Sequence, residues 1–177
     1  MANIWHDIDP KRITPEDFVA VIEISKGSKK KYELDKETGM IILDRILHTS
    51  TQYPANYGFI PRTYGDDKDP LDVLVLCSEI LDPNSLVRCT PIGVLTMEDD
   101  GDMDEKIIAV PLKDPYYNGY HDIKDLPEHI FKEISHFFAV YKNLEGKTTV
   151  VKEILGHDDA VKIIKSCMAH YDETFGK

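Results

Sequence analysis

Cysteine is scarce: three residues, at positions 77, 89 and 167, in a chain of 177. None forms a CxxC pair, and an odd, scattered set speaks against a secreted disulfide framework; it suits a reduced compartment and buried thiols. Long apolar runs are also missing. No segment approaches the length of a membrane span, and MANIWHDIDPKR has no basic flank leading into an apolar stretch. The expectation is a soluble cytoplasmic protein with no membrane partner. Positive charge is the third shortage, with 21 lysines and arginines against 32 acids and a formal net charge of −11. That balance repels nucleic acid, so none is expected as a partner, and an anionic substrate would need metal bridges.

At 20.2 kDa the chain fits a single domain, 1–177, able to bury a core without disulfide or structural metal. It has no internal repeat and no low-complexity linker. Short apolar runs at 18–24, 40–47, 71–77, 86–97 and 106–112 read as strands. Turn signals such as Thr38-Gly39, Gly65-Asp66-Asp67 and Asp100-Gly101 separate them, which predicts a sandwich or small barrel. The period then changes. Ile130, Ile134, Phe137, Phe138 and Tyr141 recur at helical spacing behind Pro127 and Glu128, and a second apolar stripe over 158–173 follows Asp158 and Asp159. Strands followed by helices define the α+β class.

Several charges fall where a core is expected. Glu23 shares a strand face with Val19 and Val21 while Ala20, Ile22 and Ile24 fill the other, so neither side looks solvated. Arg45 shares one with Ile41, Leu43 and Leu47, and Lys31 shares one with Glu33 across Tyr32. Structural salt bridges would explain any one of these; several together point to a polar cavity. An unpaired carboxylate in such a place costs roughly several kcal/mol.

The segment DDKDPLD at 66–72 concentrates the problem. An EF-hand calcium loop is excluded, because Pro70 takes the fourth place, Asp72 rather than glycine the sixth and Ser78 rather than glutamate the twelfth. A solvated turn and a catalytic divalent site stay open. In extended chain Asp67 and Asp69 point the same way and Pro70 redirects the backbone before Asp72, so three carboxylates would converge. A second acidic cluster, with Asp99 and Asp104 among its members, joins two strands, and Asp104 shares a face with Lys106. Tyr53 and Tyr57 bracket a turn in QYPANYGFIP, Tyr141 lies on the helical stripe, and Lys142 and His136 flank it. Core packing accounts for each tyrosine taken alone.

Taken together, KYE at 31–33, DRIL at 44–47, YPANYGFIP at 53–61, DKDPLDVLVL preceded by Asp67, and HFFAVYK at 136–142 resemble the family I soluble inorganic pyrophosphatases. The motifs run in order from about Val19 to Lys142. The family signature (Asp, a small or polar residue, Asp, Pro, an apolar residue, Asp, an apolar residue) is departed from only at Lys68. The resemblance implies a five-stranded closed barrel of the oligonucleotide-binding type flanked by two helices, and hydrolysis of pyrophosphate to two orthophosphates. It implies several magnesium ions: Asp67, Asp72 and Asp104 on the first, Asp72 shared with the second, Asp99 joining Asp104 at a third, and Glu33 serving a fourth through water. Asp69 would orient the water and take its proton, while Lys31, Arg45, Tyr57, Lys106, Tyr141 and Lys142 would hold the phosphates. Glu23 and Tyr53 would stand behind them. The short chain resembles the prokaryotic branch, which commonly forms homohexamers. A nucleotide phosphoesterase using the same carboxylates, and a non-enzymatic cation- or oligonucleotide-binding barrel, are the other classes in reach.

Overall fold

The structure is a computed structural model that describes residues 2–176. Its elements in chain order are α1 (Ile4–Asp7), β1 (Phe18–Ile24), β2 (Lys30–Leu34), β3 (Ile41–Ile46), β4 (Asn56–Ile60), β5 (Leu71–Val75), β6 (Ser85–Asp99), β7 (Asp102–Pro111), α2 (Glu128–Val140), β8 (Thr149–Gly156) and α3 (His157–Phe175). Six strands form one sheet in the order β1-β4-β5-β7-β6-β8, in which β1 also pairs with β6; β2 and β3 form a separate hairpin. All pairs are antiparallel except β5–β7, which is parallel.

Burial follows the sequence pattern. All seven residues of β1 are buried, as a run apolar but for Glu23 requires of a strand covered on both faces. On β5 and β7 alternate side chains go to opposite layers. Leu74 and Ile108 pack with Phe131, Ile134, Phe137 and Phe138 of α2, while Val73, Val75 and Ile107 pack with Ala160 and Ile164 of α3.

Two local devices shape the sheet. Gly58 sits where β4 crosses β1 so closely that an added Cβ would lie 1.7 Å from the Val21 carbonyl oxygen. Opposite it, Ile22 pairs with Gly58 and Ile24 with Tyr57, so Glu23 is the extra residue of a bulge. The β6–β7 hairpin turns on Asp100 and Gly101, both at positive φ (52° and 86°), the requirement of a two-residue I′ turn.

Three expectations are corrected. The run at 40–47 is not a core strand: among the described residues β3 pairs only with β2, and Ile42, Leu43 and Ile46 are exposed, with no layer of described residues burying them. Only Leu47 of the face assigned to Arg45 is buried. Second, β8 enters between the two helices; its sequence TVVKEILG interrupts apolar pairs with Lys152-Glu153 and so lacks a clean period of two. Third, Asn56 and Gly58 belong to β4 rather than to the turn bracketed by Tyr53 and Tyr57. Asn56 is buried and structural: its side-chain oxygen accepts from the Lys26 and Leu81 amides, and its Nδ2 donates to the Glu79 carbonyl.

Candidate active site

A cavity of about 720 Å³ opens between the β2–β3 hairpin, the loop entering β5, the β6–β7 hairpin and the end of α2. It gathers Glu23, Lys31, Glu33, Tyr57, Asp67, Asp69, Asp72, Asp99, Asp104, Lys106, Tyr141 and Lys142, which come from separate stretches of sequence. The lining does not include Arg45 or Tyr53. Carboxylates outnumber lysines there by more than two to one.

Strand register builds the centre. The parallel β5–β7 pair sets Asp72 beside Lys106, and two residues before Lys106 on the same face stands Asp104. Lys106, 2% exposed, donates through Nζ to Tyr57 Oη at 2.8 Å, to Asp72 Oδ2 at 2.9 Å and to Asp104 Oδ2 at 3.2 Å. Burial alone would lower the pKa of this lysine, but the Asp104 and Asp72 carboxylates outweigh it and hold the ammonium charged well above the usual lysine range. Burial raises the Tyr57 phenol well above its ordinary value, which keeps it a neutral donor or acceptor.

Negative charge is in surplus around that centre. Burial, reinforced by Asp72, pushes the Asp67 carboxyl up to about 7, and burial with Asp72 pushes Glu23 up to about 8. Burial also raises Asp104, against the pull of Lys106. Asp99 accepts from Lys142 through Oδ2, while its buried Oδ1 has no partner.

At the rim, Lys31 Nζ lies 3.1 Å from Glu33 Oε2 and 3.7 Å from Asp44 Oδ2. Lys142 Nζ sits 5.5 Å from the centre of the Tyr141 ring, and Tyr141 packs on Phe137 and Phe138. Tyr53 is a buried core residue whose ring packs on Tyr57 and Phe137 at 5.1 and 4.8 Å, supporting the cavity wall from behind. Arg45 is turned elsewhere. It bonds Asp44, and its Nε is 2.6 Å from Glu145 Oε1, poorly aligned for a hydrogen bond, with Nη2 unpartnered.

The expected convergence of Asp67, Asp69 and Asp72 is not found. Among the described residues no three acidic, histidine or cysteine groups close into a ligand shell. The segment is a turn rather than extended chain: Lys68 takes a left-handed φ of 67°, which sends Asp69 to the rim while Asp67 stays half-buried. Asp69 Oδ1 there meets Lys36 Nζ at 2.5 Å, and Lys36 also donates to the Lys68 carbonyl. Lys68, whose departure from the family signature had no assigned purpose, thus sets the turn that separates the two acids.

Lys36, Asp44 and Glu145 were not singled out in the sequence. Each partners a predicted residue across a distance that no local pattern reports; a lysine in the turn after β2 is the only signal that Lys36 offered. The donor set as a whole fits hard divalent cations. It is made of carboxylate oxygens, the buried Asp99 Oδ1 is unpartnered, and Asp67 and Glu23 are pushed toward neutrality by burial and, after it, by the like charge of Asp72.

Acids able to take cations, set against lysines able to take anions, suit a hydrolase of phosphorylated substrates. Comparison with known proteins agrees. Residues 20–172 match the inorganic pyrophosphatase family model. The chain is 48% identical over 171 residues to soluble inorganic pyrophosphatase 2 of Chlamydomonas reinhardtii, spanning 97% of this chain and 89% of that one. It is 43% identical over 178 residues to the inorganic pyrophosphatase of Haloferax volcanii, spanning 99% of each. The solved inorganic pyrophosphatase from Thermus thermophilus superposes with a TM-score of 0.90 at 39% identity, over 97% of this chain and 99% of that one. The chain belongs to the family I soluble inorganic pyrophosphatases, hydrolases of phosphoric anhydride bonds whose chemistry uses a divalent metal.

Proposed function

We propose that the chain hydrolyses inorganic pyrophosphate to two orthophosphates with magnesium, in the cavity around Lys106. The observation that carries this reading is the cavity's mixture of surplus carboxylates with lysines, in a chain whose net charge of −11 would otherwise repel the substrate. Asp67, Asp72 and Asp104 would hold one ion, Asp72 a second, Asp99 with Asp104 a third, and Glu33 a fourth through water. Ions held there would neutralise phosphate charge and would lower the pKa of bound water toward neutrality.

The chain's own groups supply the rest. Asp69 takes the proton of the attacking water, and its contact with Lys36 orients it at the cavity mouth. Lys106, already charged and fixed by three side chains, faces the negative charge that grows on the departing phosphate. Lys31, Lys142, Tyr57 and Tyr141 hold phosphate oxygens, and Arg45 adds a two-donor grip once it turns from Asp44 and Glu145. Glu23 and Tyr53 keep the wall in place.

The fold reading goes with it. The ring of pairings β1-β4-β5-β7-β6-β1 supports a closed five-stranded barrel of the oligonucleotide-binding type, with α2 and α3 outside it, in a single domain 1–177. The likeness to the prokaryotic branch supports a homohexamer. The three free cysteines support a cytoplasmic setting; separately, among the described residues no helix is long and apolar enough to cross a membrane. The function is tested by orthophosphate release from pyrophosphate and from a nucleoside triphosphate, each with magnesium. Pyrophosphate is expected to be the far better substrate; faster triphosphate hydrolysis would favour a nucleotide phosphoesterase.

A further inference from the structure

The loop that carries Asp67 and Asp69 and leads into Asp72 on β5 is under electrostatic load, since like charges this close drive it to spread. Internal bonds oppose that. The Gly65 amide donates to the Asp69 carbonyl at 2.8 Å, the Lys68 amide to the Gly65 carbonyl at 3.1 Å, and the Asp69 amide to Asp67 Oδ1 at 3.1 Å. The stems are tied as well: Thr63 Oγ1 donates to the Ile60 carbonyl and accepts from the Leu71 amide.

One anchor comes from outside the loop. Tyr64, its first residue, is held by α3 through both of its main-chain polar groups. Its amide donates to the Cys167 carbonyl at 3.0 Å, and its carbonyl oxygen lies 3.0 Å from His170 Nδ1. Because the acceptor is a carbonyl, Nδ1 must carry a proton, which both the Nδ1–H neutral tautomer and the charged ring provide. The His170 and Tyr64 rings pack at 4.7 Å. Between loop and helix lies a cavity of about 190 Å³ lined by Tyr64, Asp67, Asp72, Asp104, Cys167 and His170, so the acids of the active site are backed by this part of α3.

We propose that His170 is a positioning residue for cation binding: its Nδ1–H bond to the Tyr64 carbonyl holds the 64–71 loop in the arrangement that sets Asp67 beside Asp72 of β5. The inference rests on the reading of those two acids as metal ligands. His170 touches neither substrate nor the reacting atoms in this account; it acts through the loop's backbone.

Two variants separate the hydrogen bond from simple packing. His170→Leu keeps bulk against the Tyr64 ring and loses the donor, while His170→Asn keeps an N–H at the δ position. In metal-free, chelated protein, amide exchange over 64–71 is expected to quicken about fivefold in His170→Leu, the factor one net hydrogen bond represents. Calorimetric titration with magnesium alone should show weakening by a similar factor. His170→Asn should match wild type in both and in its melting midpoint, while the midpoint of His170→Leu should fall by no more than the few degrees that the same factor represents. Wild-type exchange and affinity in His170→Leu, or an Asn variant as loose as the Leu variant, would overturn the proposal. Failure of wild-type protein to cleave pyrophosphate with magnesium would instead overturn the functional reading on which it rests.

Discussion

Taking an ammonium out of water is expensive, and Lys106 does so only because three side chains from three strands converge on it: Tyr57 on β4, Asp72 on β5 and Asp104 on β7 itself. Removing it strands two carboxylates. Lys106→Met is therefore expected to destabilise the metal-free protein by about 3–5 kcal/mol, read by urea unfolding. An unchanged unfolding midpoint would mean that Asp72 and Asp104 are hydrated rather than paired. Glu23 supplies a pH signature. Its folded pKa of about 8 lies above the ordinary 4.5, so between these values the folded state keeps a proton that the unfolded chain releases. Stability conferred with the proton bound is complete below pH 4.5 and is lost as pH rises toward 8. Glu23→Gln should match wild type at pH 4 and exceed it at pH 8, by up to about a few kcal/mol, in thermal melts with chelator present. At this scale the sequence announced that Glu23 stands among apolar neighbours and that Asp104 and Lys106 share a strand face. It did not announce their partners, because Lys36–Asp69 and Arg45–Glu145 are made by tertiary approach.

Among the elements, those with unbroken signals were legible. β1 is found at Phe18–Ile24 as its apolar run required, and α2 and α3 lie within a few residues of their predicted stripes. β3 and β8 were misread or missed for opposite reasons: one has a strand's composition without a layer to bury it, the other has a layer but a broken pattern. One close backbone approach in the sheet is a consequence of a single residue. Gly58 lets β4 lie against β1, and the adjoining bulge turns Glu23 toward the cavity. Because the obstacle to a Cβ is backbone and not a yielding side chain, Gly58→Ala should cost more than about 4 kcal/mol and prevent folding. Circular dichroism of the purified variant would show it; a native spectrum with a native melting midpoint would mean that the two strands separate easily.

Across the whole molecule, the proposed function makes the excess of acids and the anionic substrate two halves of one design, in which cations held by the chain would become the docking surface for phosphate. Composition revealed the first half. The second came from motifs in order, since no periodicity distinguishes Lys31 or Lys142 from the other lysines on the surface. What the structure added is the convergence of β1, β2, β4, β5, β6, β7 and the end of α2 on one cavity. The most direct measurement is pyrophosphate cleavage as a function of magnesium concentration, in wild type and in Asp72→Ala. If the cavity carboxylates carry the cations that receive substrate, the variant needs more magnesium for half-maximal rate and has a lower maximal rate. A variant with the wild-type magnesium requirement and the wild-type maximal rate would contradict the account.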